Sequence, residues 1–90
     1  MSTLPGSDLV ALGLADLERG VISEAALLAA IGAPRLRGLG LRLPEALPAN
    51  PEIALYLKLQ TREGDGAHGA YQALIRRLES FERALERQRR

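Results

Sequence analysis

The sequence predicts an all-α domain: a compact bundle of about four helices, with a long C-terminal amphipathic helix and a Pro/Gly/Leu-rich connector in the middle. Three observations lead there. Aromatic residues make up 3% of the chain (Tyr56, Tyr71 and Phe81), so the core has to be aliphatic, and it is supplied by Leu and Ala, both strong helix formers. The β-branched and aromatic residues that favour strands are scarce. Apolar positions recur at helical spacing, most clearly in Ala67, Tyr71, Leu74, Leu78, Phe81 and Leu85, an a/d stripe of nearly three heptads.

Each element has its own local signals. Residues 1–7 read as a flexible leader and 8–90 as a single helical domain. The first helix is predicted over 8–19, with Ser7 or Asp8 as its cap and Val10, Leu14 and Leu17 on one face. Gly20 is placed to end it, because glycine enters the left-handed conformation without steric cost. Ser23 caps a second helix over 23–32, in which Leu27, Leu28 and Ile31 share a face among small alanines. Gly32 and Pro34 are expected to stop it. The stretch from Pro34 to Pro51 holds a short helical turn and then a connector pinned to the core by leucines. Within it, Leu39, Leu41 and Leu43 alternate with Gly40 and Arg42.

Asn50, Pro51 and Glu52 suit the cap, first position and positive end of a helix over 51–62. That helix is apolar on two sides: Ile53, Tyr56 and Leu57 on one, Leu55 and Leu59 on the other. Gly64, Gly66 and Gly69 break the pattern, and the last helix is predicted over 69–87 with Asp65 as a plausible cap. Its heptad stripe is expected to face the core of the same chain. The spare apolar surface of the preceding helix then becomes the candidate interface.

Composition narrows the functional classes. The chain has 90 residues, no cysteine, one histidine and six Ser or Thr, which leaves little raw material for nucleophilic catalysis or a metal site. The uncharged apolar run around 25–33 is well short of the ~20 residues that a membrane span needs. The net charge of +1 gives no general reason to expect nucleic acid. We therefore expect a cytoplasmic, non-catalytic protein without cofactor or metal. It would bind a macromolecular partner, as an antitoxin-like, adaptor or accessory protein of bacterial type. The partner is a protein or a second copy of the chain, with Leu55, Tyr56, Leu59, Arg76 and Arg77 as the candidate contact residues and no membrane involved.

Two other readings stand beside it. "SEAALLAAIGAPRLRGLGLR" has the outline of a helix-turn-helix regulator in which Arg35, Arg37 and Arg42 would meet DNA. Residues 1–45 carry five acidic and four basic side chains, however, so no basic face dominates. The Arg-rich C-terminal segment could contact nucleic acid as well. "REGDGAHGAY" pairs Arg62 with His68 at a spacing that resembles the active-site motif of the HEPN ribonucleases, a family of helical proteins. That resemblance would make Arg62 and His68 the catalytic pair on an RNA phosphodiester, flanked by Tyr71. A glycine-rich turn leading into a helix whose first large core residue is Tyr71 is the preferred reading.

Overall fold

Among the described residues, five α-helices and a single 3-10 turn follow one another along the chain. They are α1 (Ser7–Glu18), α2 (Glu24–Ile31), α3 (Ala33–Gly38), α4 (Pro51–Glu63), the turn Gly64–Gly66, and α5 (Ala67–Gln88). The structure is a computed structural model and describes residues 4–89. Its radius of gyration, 12.7 Å, is close to the ~12 Å expected of a folded chain of this length. The four predicted helices are all present, each with ends within two residues of expectation, and the short turn after Ala33 is a fifth helix.

α2 is the centre of the fold. Its residues Ala25 to Ala30 are all buried, and α1, α3, α4 and α5 pack around it. A helix apolar on every side belongs in the interior. The core is aliphatic, as composition required. Leu27, Leu28, Leu36, Leu55 and Leu59 are fully enclosed, with Val10, Ala67, Leu78, Phe81 and Leu85 around them. Every member of the α5 heptad stripe is buried or half-buried against the chain's own core.

Small residues set the closest approaches. A Cβ added at Gly13 of α1 would stand 2.2 Å from the Ala25 carbonyl oxygen, so α1 lies almost against the backbone of α2. Gly6 precedes α1 at φ +76°, and a Cβ there would be 2.7 Å from the Arg77 carbonyl oxygen of α5. That close seat explains why α1 starts on a glycine and not on a side-chain cap. Neither Ser7 nor Asp8 caps the helix, and Ser7 is already its first residue. The leader expected over 1–7 falls outside the described residues at 1–3, and beyond them Leu4 packs on the core.

The other local signals fared unevenly. Gly20 takes φ +74° after α1, and the Ser23 side chain accepts a hydrogen bond from the Ala26 N–H at the start of α2, both as expected. Pro34 does not end a helix but opens α3, where its missing N–H is harmless. Asn50 adopts φ 49° before α4 and makes no side-chain cap, so its value there is its tolerance of the left-handed region. Asp65 lies in the 3-10 turn and does not cap α5. In the connector, Leu39, Leu41 and Leu43 are half-buried on the core while Gly40 and Arg42 are exposed.

Candidate partner-binding surface

The two apolar sides of α4 have opposite roles. Leu55 and Leu59, expected at an interface, are fully buried in the chain's own core, where they meet α2 and α5. Tyr56 is half-buried and its ring packs against that of Tyr71, with centroids 5.7 Å apart. Burial, with the charge of Glu52 adding to it, pushes the Tyr71 phenol pKa up. The exposed apolar residues of α4 are Ile53 and Leu57, at 62% and 56% of full exposure. Helical geometry puts them opposite Leu55 and Leu59, so an interface on α4 has to use this pair.

An open groove of about 660 Å³ runs between α1 and α4, over the first turn of α2. Leu9 and Leu12 form one wall. Ser23, Glu24 and Ala25 form the floor, and Lys58 and Thr61 the far wall. Leu12 is 53% exposed, and Val21 and Ile22, both 45% exposed, immediately precede Ser23. Leu57 is next to Lys58, and its carbonyl accepts a hydrogen bond from the Thr61 hydroxyl at 3.1 Å. Of the exposed large aliphatic residues among those described, Leu12 lines the groove, Val21, Ile22 and Leu57 are within two positions of a lining residue along the chain, and Ile53 is one turn before Leu57.

Polar contacts fix the groove's frame. At the α1–α2 corner, the buried Asp16 carboxylate accepts hydrogen bonds from the Ser23 hydroxyl at 2.6 Å and from the Arg19 guanidinium. The Ser23 hydrogen bond first, and Arg19 second, hold the Asp16 pKa below its ordinary value. Arg62 donates to both Glu24 oxygens at 2.9 Å, a two-point clamp between the end of α4 and the start of α2.

This clamp bears on the resemblance of the Arg62/His68 pair to a ribonuclease motif. Arg62 ends α4, and its guanidinium is taken up by Glu24 and Glu63. His68 is exposed on the first turn of α5, across the 3-10 turn, so the two residues do not share one continuous helix. The arginines of the helix-turn-helix reading are also largely engaged within the chain. Arg35 faces Glu82 and Glu86 of α5 at 3.9 and 3.5 Å, and Arg37 donates to the Pro44 carbonyl. α3 itself has only six residues. Glu82 is buried, and desolvation raises its pKa with help from Glu79, against the lowering effect of Arg35.

No family model matches this chain. No curated protein and no solved structure matches it either. Function therefore has to be argued from the surface. Arg76 and Arg77 are exposed on α5, away from the groove, and Arg77 lies 3.4 Å from Asp8. They line a shallow cleft with Pro5, Gly6, Ala73 and Ser80. A further cleft of about 300 Å³ separates α1 from the end of α5 and is lined by the core residues Val10, Phe81 and Leu85 and by Leu4, Leu14 and Leu41, which pack against the core half-buried. Among the described residues no three metal-ligating side chains converge, and no helix is long and apolar enough to cross a membrane. The sequence offered no means of choosing between the two apolar sides of α4, since each is a pair of aliphatic residues one turn apart.

Proposed function

We propose that the chain is a non-catalytic binding protein that seats another protein on the face formed by α1 and α4. The observation that carries this reading is the open groove between α1 and α4, which has Leu9 and the exposed Leu12 in its lining, with the exposed Val21, Ile22 and Leu57 next along the chain to its floor and far wall. A domain this small has little apolar surface to spare from its core. Large aliphatic residues left together in water are favoured sites for association, whereas singly scattered ones are ordinary. The role fits an adaptor, an antitoxin-like protein or another accessory component acting through the surface it presents.

Site-specific photo-crosslinking in the cells that express the protein tests this. A crosslinking side chain at position 12 or 57 is expected to capture one and the same protein, and one at position 68 or 76 is not. Equal capture of many proteins at all four positions, or capture at none, would refute the reading.

A further inference from the structure

We infer that the groove between α1 and α4 takes an amphipathic helix of the protein partner, seated with its apolar stripe against Leu9 and Leu12 over Ala25 and with a carboxylate against Lys58. This rests on the docking role proposed above and specifies the partner's chemistry. α1 and α4 both pack on α2 but have at most a marginal contact with each other, so they stand as two rails with a gap between them. The floor of the gap includes Ala25, whose small side chain lets an occupant come close. α1 has 12 residues, a length of roughly 18 Å, which matches about three turns of a docked helix.

The form of the occupant follows from its backbone. A peptide laid in an apolar groove needs partners for its own N–H and C=O groups. An extended segment finds them by pairing with a free sheet edge, which the described residues do not offer, or leaves them to water and gains no backbone contact from the groove. A helix satisfies those groups internally, so it can present side chains alone.

Charge selects the side chains. Lys58 is the only lysine of the chain, it is exposed, and it has no ion-pair partner among the described residues. The other charged group lining the groove, Glu24, is already met by Arg62. The groove therefore has one uncompensated positive charge beside an apolar strip. An Asp or Glu flanking the stripe of the incoming helix complements it, and a Lys or Arg there is repelled.

The test is selection of helix-forming peptides of about four turns from a displayed library against the full-length protein, followed by fluorescence anisotropy. Selected peptides are expected to share an apolar i, i+4, i+7 stripe with an acidic residue beside it. Lys58→Glu and Leu12→Asp should each weaken a selected peptide by about tenfold or more; Lys58→Glu should leave the thermal unfolding midpoint nearly unchanged, and Leu12→Asp, at a half-covered site in α1, should lower it by a few degrees and leave the protein folded at the assay temperature. Replacing the peptide's acidic residue by lysine should restore binding to Lys58→Glu. Unchanged affinity with Lys58→Glu overturns the inference. So does a set of binders lost on Arg76→Glu and not on Leu12→Asp, which would move the binding surface to α5. A dimer in sedimentation that Leu57→Asp dissociates makes the second copy the occupant and overturns it too. A library that yields no binder overturns the helix inference, whereas the docking role itself falls only with the crosslinking experiment.

Discussion

Replacing Gly13 by alanine should destabilise the protein, although alanine is the better helix former. The added Cβ would lie 2.2 Å from the Ala25 carbonyl oxygen, 2.8 Å from its carbon and 3.1 Å from the Ala29 Cβ. Two of these are backbone atoms of the central helix and cannot swing aside. α1 must back away by about 1 Å to reach ordinary contact distance, which loosens Val10 and Leu17 against α2. Overpacking of this kind costs about 1–3 kcal/mol, and the gain in helix propensity returns up to about 1 kcal/mol. A net loss of about 1 kcal/mol should lower the urea midpoint by about 0.3–1 M at an unchanged slope. Gly69 is the control. Nothing lies within 4 Å of a Cβ built on it, so Gly69→Ala should stabilise by up to about 1 kcal/mol. A midpoint for Gly13→Ala at or above that of the wild type would refute the claim that α1 rests on the backbone of α2.

Three more outcomes follow from burial and charge. Leu55→Ala should cost about 2–5 kcal/mol in urea unfolding, while Leu57→Ala, on the opposite side of the helix, should stay within about 0.5 kcal/mol of wild type; similar losses for both would undo the assignment of α4's inner side. Glu82 has a raised pKa in the folded state, so its contribution is fully present below the unfolded carboxyl pKa, near about 4.3, and is lost as the pH rises through the folded value. Glu82→Gln should therefore gain stability relative to wild type at neutral pH and lose that advantage at about pH 4, measured by unfolding midpoints across pH. Asp16 has the opposite sign. Its pKa is lowered, so its contribution is present above about pH 4 and fades as acid protonates it. Asp16→Asn should flatten the acid side of the stability profile, and an unaltered profile would mean that the Ser23 and Arg19 contacts do not favour the charged form.

The helices were legible because their signals are local. Heptad spacing in α5, Ser23 before α2 and Gly20 after α1 each act within a few residues, and each appears in the structure. Caps failed where a distant element decided the backbone. Gly6 is fixed by its seat beneath Arg77, seventy-one positions away, and no neighbour of Gly6 in the sequence announces that contact. The same holds for the surface. Leu55 and Ile53 look alike along the chain, and only the positions of α2 and α5 make one core and the other surface. The Arg62–Glu24 clamp spans 38 positions and was equally invisible, so Arg62 could be read as a catalytic group. The groove joins side chains from α1, α2 and α4, and no single stretch contains its pattern.

The central place of α2 has a consequence for biosynthesis. A ribosome delivers α1, α2 and α3 before any of α4 and α5, yet Leu27, Leu28 and Leu36 share their enclosure with Leu55, Leu59 and Leu78 from the later half. A nascent chain of fifty residues holds an oily rod with covering on one flank alone. Such an intermediate is adhesive, and it attracts chaperones or other unfinished copies until translation completes the wrapping. Premature termination in the connector should consequently leave an aggregating fragment, not a smaller working domain.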